Sequence, residues 1–183
     1  MDWLTLTALI GALFLVPTAY AGFIGAPWAP TRIASVKKAF DDIGIDAKDT
    51  VVDLGAGDGA ILLQAAVRGA RAVGYELSPI MWIVGCIRTL GQKRITMKYG
   101  NLYRATLPKE TTAVFFFLMP KHMDQVGKYL ASQQISSSAL VLSYAFSFKR
   151  IAPARVYREN KCAPLYLYEL SAIREYFAES SRT

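Results

Sequence analysis

Two acidic residues flank a glycine-rich turn in the segment 51–60, which reads VVDLGAGDGA. Asp53 precedes the first glycine, and Asp58 lies between the second and the third. Glycines at this spacing allow a tight turn and let the backbone approach a ligand, because no Cβ atom stands in the way. The segment also satisfies the dinucleotide pattern G-x-G-x-x-A, so we expect a ligand-binding turn between a strand and a helix. The glycines concerned are Gly55, Gly57 and Gly59.

The two carboxylates distinguish between the ligands that such a turn can bind. A dinucleotide places its pyrophosphate at the N-terminus of the helix, where the helix dipole and free N–H groups favour anions. Asp58 would repel a pyrophosphate there, and Asp53 adds a second negative charge at the end of the strand. S-adenosylmethionine carries a sulfonium and an ammonium group and no phosphate. The charges therefore predict S-adenosylmethionine as the cofactor and disfavour NAD and FAD.

Further candidate cofactor contacts follow the next two predicted strands. Glu76 ends the segment VGYE, 17 residues after Gly59, and a carboxylate there can accept hydrogen bonds from both hydroxyls of a ribose. Asn101 is placed to hydrogen-bond adenine, with Leu102 against the ring. Two simpler interpretations stay open, namely Glu76 as an exposed acid at a strand end and Asn101 as an ordinary turn residue.

Short apolar runs alternate with helical segments along most of the chain. An alternation of this kind indicates an α/β domain with a mostly parallel sheet. The last two apolar runs are separated by a turn around Asn160, which predicts an antiparallel hairpin. The expected fold is therefore a doubly wound, seven-strand α/β sheet, mostly parallel, with a C-terminal antiparallel hairpin. The predicted strands are 50–54, 72–75, 95–99, 113–118, 139–146, 155–159 and 165–170, and the predicted helices are 32–43, 60–68, 79–90 and 121–133.

The N-terminal segment is apolar and carries no charge between positions 3 and 31. Up to residue 24 it reaches the roughly 20 residues that cross a bilayer. We therefore expect a single transmembrane helix that anchors the protein over residues 1–25. By the positive-inside rule, the basic residues that follow this helix place the rest of the chain on the cytoplasmic side. These residues are Arg32, Lys37 and Lys38.

Two other interpretations of the N-terminal segment stay open. Residues 19–21 resemble a signal-peptide cleavage box, although the chain has Asp2 where a signal peptide carries positive charges. Pro17 interrupts the apolar run, so a packed or interfacial helix is also compatible with the sequence.

Composition limits the possible partners without selecting one. The chain of 183 residues fits one domain, and its net charge is +7. A basic domain can bind anionic lipids, nucleic acid or acidic proteins, and charge alone does not choose among them. Cys86 and Cys162 form no metal-ligand motif, and His122 is the sole histidine, so no metal is predicted.

Several motifs carry a resemblance to a known family. The segments VVDLGAGDG, VGYE and GNLY, followed by the closing hairpin, resemble the class I (seven-stranded) S-adenosylmethionine-dependent methyltransferases over residues 30–170. More narrowly, the chain resembles a group of protein-lysine methyltransferases that comprises archaeal enzymes of broad substrate range and mitochondrial relatives acting on inner-membrane proteins. The resemblance implies that Asp53, Gly55, Gly57 and Glu76 contact the cofactor. It also implies that Thr31, with the preceding proline, lies over the cofactor.

The acceptor side of the chain departs from the family pattern. The fifth strand of the family usually ends in His-acid-Phe, whereas this chain has Ser-Tyr-Ala-Phe at 143–146. Met119 and Pro120 end the fourth strand without the Asn/Asp-Pro-Pro-aromatic signature of enzymes that methylate base amines. Tyr144 is a candidate for orienting the acceptor through its hydroxyl, or it simply packs at the strand end.

We therefore expect a membrane-anchored protein-lysine N-methyltransferase whose substrates include membrane proteins. The alternatives are a methylase of a small or lipid acceptor and a non-catalytic, membrane-tethered module that binds the cofactor. Nucleic acid is disfavoured as a partner. The expected division is a membrane anchor at 1–25, a Pro-rich joint and lid helix at 26–44, a methyltransferase domain at 45–176 and a polar tail at 177–183.

Overall fold

The computed structural model describes residues 2–24 and 31–179 of the chain. Its centre is a seven-stranded sheet in the order β3-β2-β1-β4-β5-β7-β6. Strands β1 to β5 run parallel to their neighbours, whereas β7 runs antiparallel to both β5 and β6. This topology confirms the predicted sheet and its C-terminal hairpin. The strands are β1 Thr50–Leu54, β2 Arg71–Glu76, β3 Ile95–Tyr99, β4 Ala113–Phe116, β5 Leu140–Tyr144, β6 Arg155–Tyr157 and β7 Leu165–Glu169.

Helices cover both faces of the sheet. One face packs against α2 and α3 through an apolar cluster that includes Phe40 and Phe115. The other face packs against α5 and α6 through a second cluster that includes Phe116 and Phe177. Because both faces are covered, β1 and β4 are buried at every residue. The helices are α1 Trp3–Ile24, α2 Ile33–Ile43, α3 Ala60–Ala66, α4 Pro79–Arg88, α5 Met123–Ser132 and α6 Leu170–Glu179.

Helix α6 is an element that the sequence patterns did not predict. It follows β7 without a loop, and α5 approaches it closely at Gly127. A Cβ atom added at Gly127 would lie 2.2 Å from the ring of Phe177. The pairing of α5 with α6 therefore depends on a glycine whose role becomes visible only in three dimensions.

The strand order places a crevice at the carboxyl edge of the sheet. The chain builds outward from β1 through β2 to β3, and then returns to the other side of β1 to add β4 and β5. Ligands of open α/β sheets bind where the order reverses in this way, outside the carboxyl ends of the strands. The glycine-rich turn follows β1 directly, so it lies at this edge.

The structure overturns the predicted membrane anchor. Among the residues it describes, no helix combines the length and apolar character that crossing a bilayer requires. In α1, Thr5, Thr7, Pro17 and Thr18 interrupt the apolar run. The predicted transmembrane helix, and with it the single-pass location with a cytoplasmic domain, is therefore wrong, and the expected membrane partner has no support.

Three short segments lie outside the described residues. They are Met1, residues 25–30 and residues 180–183. The predicted Pro-rich joint and the end of the predicted polar tail fall there, and the division of the chain into segments stays a prediction.

Candidate active site

Two buried carboxylates meet at the carboxyl ends of β1 and β2. Asp53 is 2% exposed and Glu76 is 9% exposed. Glu76 Oε2 accepts a hydrogen bond of 2.8 Å from the N–H of Gly57, and Glu76 Oε1 accepts one of 2.7 Å from the N–H of Ser78. The Glu76 side chain therefore bridges the glycine-rich turn after β1 and the segment after β2.

The glycine-rich turn adopts a backbone that only glycine adopts readily. Gly55, Gly57 and Gly59 all have positive φ angles, of 89°, 53° and 77°. The N–H groups of Gly55 and Ala56 both donate to the carbonyl oxygen of Tyr75, at 2.9 and 3.0 Å. The turn is thus tied back to β2, and its three glycines hold the positions that the sequence predicted for close approach to a ligand.

The charges at this edge are negative and incompletely compensated. Burial raises the pKa of Asp53 well above its usual value, and the neighbouring charges of Glu76 and Asp58 raise it further. Burial also raises the pKa of Glu76, against the lowering effect of the hydrogen bonds from Ser78 and Gly57. Within the described part of the chain, no basic side chain forms an ion pair with Asp53 or Glu76. A cationic ligand is what this edge lacks.

Asp58 has a different environment from the one expected from sequence. Its carboxylate forms an ion pair with Arg88 of α4, and Oδ1 accepts a hydrogen bond of 3.2 Å from the N–H of Ala60. Arg88 thus compensates part of the negative charge that was expected to repel a pyrophosphate. Asp58 lies beside the glycine-rich turn, and its contact with the cofactor stays a prediction.

The loop after β3 is joined to the same edge. The N–H of Gly100 donates to the carbonyl oxygen of Glu76 at 2.9 Å. Asn101 Oδ1 accepts the N–H of Tyr103 at 2.9 Å, which caps a short 3₁₀ turn, and Leu102 is buried. Since Oδ1 is engaged in this cap, the amide nitrogen of Asn101 is the atom suited to donate to N1 of an adenine.

Aromatic side chains line the edge beside β4 and β5. The ring of Phe117 lies 5.0 Å from that of Tyr144 and 6.4 Å from that of Phe146, between ring centroids. The Tyr144 hydroxyl accepts a hydrogen bond of 3.3 Å from the N–H of Arg32. This bond brings Thr31 to the site, as the resemblance implied, although Tyr144 thereby already has a partner for its hydroxyl.

The end of β5 carries a strained backbone where the family has His-acid-Phe. Ala145 has a φ of 70°, a conformation that costs an alanine about 1–3 kcal/mol. The hydroxyl of Ser143 donates to the carbonyl oxygen of Phe146 at 2.6 Å, and the N–H of Ala145 donates to that of Pro164 at 2.8 Å. These bonds keep the aromatic side chains of the segment at the carboxyl edge.

The remaining substrate-side candidates lie at the end of β4. Met119 is half-buried and Pro120 is exposed, and Pro120 begins a 3₁₀ turn that ends at His122. Both residues therefore lie at the same edge as the buried carboxylates. Their role toward an acceptor stays a prediction.

Three residues that shape the site were missed in the sequence. Ser78 holds Glu76 and caps α4, and its signal was present, since Ser followed by Pro is a common start of a helix. Arg88 pairs with Asp58 across 30 positions of sequence. Gly85 lets α4 approach the turn, because a Cβ atom there would lie 2.9 Å from the carbonyl oxygen of Gly57. Local sequence carried no signal for Arg88 or Gly85.

Fold and site together define a class I methyltransferase. The strand order, the glycine-rich turn after β1 and the acidic residue that ends β2 are the elements that the sequence motifs predicted. Residues 53–155, more than half of the chain, match the model of the family described as "ANTKMT methyltransferase domain". The chain belongs to this family. It is an S-adenosylmethionine-dependent methyltransferase, and the predicted resemblance is confirmed.

Several characterised proteins are similar to the chain. A lysine N-methyltransferase of Xenopus laevis, named for one of the subunits of ATP synthase, is 29% identical, over 94% of this chain and 79% of the relative. The Mus musculus protein of the same name is 34% identical, over 68% of this chain and 50% of the relative. The chain thus spans about half the length of the mouse relative. A "Protein-lysine N-methyltransferase" of Saccharolobus islandicus is 25% identical, over 78% of this chain and 92% of the relative.

A solved structure is also similar. It is an RNA methyltransferase from Salinibacter ruber in complex with S-adenosyl-L-homocysteine. Its TM-score is 0.71 and its identity 27%, over 78% of this chain and 94% of that one. The sheet and the carboxyl-edge site are therefore built as in a methyltransferase that binds the demethylated cofactor.

Proposed function

We propose that this enzyme transfers the methyl group of S-adenosylmethionine to the side-chain nitrogen of a lysine in a protein. The observation that carries the proposal is the pair of buried carboxylates, Asp53 and Glu76, which meet beside a glycine-rich turn without a basic partner in the described residues. The lysine acceptor is supported by the names of the relatives from Xenopus laevis, Mus musculus and Saccharolobus islandicus.

The residues at the carboxyl edge fit this cofactor. When bound, S-adenosylmethionine supplies a methyl group that is already activated by the positive charge on sulfur. Each carboxylate oxygen has more than one acceptor position, so Glu76 can hold Gly57 and Ser78 and still accept two ribose hydroxyls. Asp53 supplies a negative charge next to the turn, where it compensates the positive charge of the ligand.

The acceptor side is suited to an amine on a long apolar stem. Phe117 and Phe146 are half-buried, and with Tyr144 they offer apolar surface against which the methylenes of a lysine can pack. Removing water from the amine lowers its pKa, because burial disfavours the charged form. The neutral nitrogen forms the new N–C bond while the C–S bond breaks, and the proton of the product leaves to water. The aromatic side chains contribute by orienting the amine.

RNA is the second candidate acceptor, on the basis of one observation. The similar structure from Salinibacter ruber is described as an RNA methyltransferase, and the net charge of +7 would favour binding to phosphates. Against this candidate, the segment 117–120 reads FLMP, without the signature of enzymes that methylate base amines.

Methyl transfer from labelled cofactor separates the candidates. The full chain is incubated with S-adenosylmethionine labelled in the methyl group and with a cell extract, and the products are divided into protein, RNA and solvent-extractable fractions. We expect label in protein that survives acid hydrolysis as methyl-lysine, and none with Glu76→Ala. Label that ribonuclease releases, or label that extracts into solvent, would overturn the lysine proposal in favour of RNA or of a small or lipid acceptor.

A further inference from the structure

The C-terminal half of α1 contacts the start of α4 beside the cofactor site. The hydroxyl of Ser78 donates a hydrogen bond of 3.2 Å to Thr18 Oγ1. Ser78 is 5% exposed, and its N–H is one of the two donors that hold the Glu76 carboxylate. A side chain from α1 is therefore only one residue removed from the carboxylate assigned to the ribose.

Ser78 links these contacts because it uses both functions of its hydroxyl. Its Oγ accepts the N–H of Met81 at 3.3 Å, which caps α4, and its O–H is donated to Thr18. A hydroxyl has one proton to donate, so the bond to Thr18 selects one orientation of the Ser78 hydroxyl. With the N–H on Glu76, that orientation belongs to a chain of contacts running from α1 to the ribose site.

The rest of the α1 surface shows where this helix is attached. Leu6, Gly11, Phe14 and Thr18 are half-buried and recur at intervals of three to five residues, which places them along one side of the helix. Other apolar side chains of α1 are largely exposed, including Leu13 at 67% and Val16 at 65%. The attached stripe leads to Thr18, and the helix that α1 contacts is α4.

The first turn of α4 is joined to Glu76 on its other side as well. The ring of Trp82 lies 5.9 Å from that of Tyr99 at the end of β3, and Tyr99 is the residue paired with Glu76 in the β2–β3 register. The loop 76–78, the start of α4 and the end of β3 thus form one packed unit. α1 rests on this unit, so its position bears on the geometry of Glu76.

We propose that α1 is part of the cofactor site and that Thr18 is a positioning residue for S-adenosylmethionine. Thr18 holds Ser78, Ser78 holds Glu76, and Glu76 binds the ribose, so the helix raises cofactor affinity without touching the reacting atoms. The inference rests on the cofactor site of the proposed function and does not depend on the identity of the methyl acceptor.

Thr18→Val tests this inference, because valine keeps the branched shape and removes only the hydroxyl. One hydrogen bond of this kind corresponds to a roughly twofold to tenfold change in a dissociation constant. We expect the Kd for S-adenosylhomocysteine, measured by calorimetry, and the KM for S-adenosylmethionine to rise by that factor while kcat stays unchanged. Thr18→Ser should restore both constants.

Thr7→Val is the matched control on the same helix. The Thr7 hydroxyl donates only within α1, to the carbonyl oxygens of Trp3 and Leu4, so no change in cofactor affinity is expected. Combining Thr18→Val with Ser78→Ala should weaken binding no further than Ser78→Ala alone, because both remove the same contact.

Two results would overturn the inference. One is an unchanged Kd in Thr18→Val, including the case in which only the melting temperature falls. The other is full additivity with Ser78→Ala. Since binding is measured without an acceptor, a wild-type chain that binds the cofactor but labels no lysine would contradict the proposed function alone.

Discussion

Glu76 Oε2 accepts a hydrogen bond of 2.8 Å from the N–H of Gly57, across 19 positions of sequence. The bond fixes the turn after β1 against the end of β2, so one carboxylate both shapes the glycine-rich turn and faces the ribose position. A change at Glu76 should therefore affect cofactor binding and the stability of the turn together.

Glu76→Gln tests the dual role of this carboxylate. Glutamine keeps the size of the side chain, but it replaces one acceptor oxygen by an NH₂ group that faces a backbone donor. Losing a hydrogen bond to a charged group costs about 1.5–3 kcal/mol, so cofactor affinity should fall at least about tenfold. Calorimetry with S-adenosylhomocysteine measures the loss. Glu110→Gln, in an exposed ion pair with Arg71, serves as the control and should bind normally.

Asp53→Asn should stabilise the free protein while weakening cofactor binding. The pKa of Asp53 is raised in the fold, so its carboxyl favours the folded state when protonated, and this contribution is lost as the pH rises through the raised pKa. Asparagine does not ionise, so the melting temperature of Asp53→Asn should exceed that of the wild type increasingly at higher pH. Each kcal/mol gained corresponds to about 2–4 °C. Asp42→Asn, in an ion pair at the surface, should show no such gain. A lower melting temperature for Asp53→Asn at pH 8 would contradict the explanation.

Cofactor binding should release a proton at mildly acidic pH. The raised pKa leaves part of Asp53 protonated in the free protein, whereas a cationic ligand next to the turn favours the ionised form. Affinity should therefore increase as the pH rises through the pKa of Asp53 and level off above it. Calorimetry in buffers of different ionisation enthalpy counts the proton, and Asp53→Asn should abolish the dependence on buffer. Proton uptake on binding would refute this assignment.

Gly85→Ala should reduce cofactor affinity through the packing of α4. The added Cβ would lie 2.4 Å from Met97 Cε and 2.9 Å from the carbonyl oxygen of Gly57, so either α4 or the glycine-rich turn must move. Gly127→Ala is equally crowded, with a Cβ 2.2 Å from the ring of Phe177, but it lies between α5 and α6. Both variants should lose about 1–3 kcal/mol of stability. Only Gly85→Ala should also raise the KM for S-adenosylmethionine.

Most of the sheet could be predicted from sequence because its signals are local. An apolar run such as 113–116 and a glycine-rich turn after a strand each depend on neighbouring residues, and alternation with helices then implies a parallel sheet. Helix α6 was missed because it follows β7 directly, so no turn residues mark its start. The N-terminal segment was misjudged because apolar composition does not by itself distinguish a bilayer span from a helix that contacts α4.

The sequence by itself determined the chemistry of the cofactor site. Asp53, Glu76 and the glycines between them are set by residue type and short spacing, which is sufficient to favour a cationic ligand over a pyrophosphate. The tertiary structure alone decided which groups compensate or hold these carboxylates. Arg88 reaches Asp58, Ser78 joins Thr18 to Glu76, and Arg32 meets Tyr144 across 112 positions. Such contacts arise from the crossing of distant elements, and no local pattern encodes which side chains will meet.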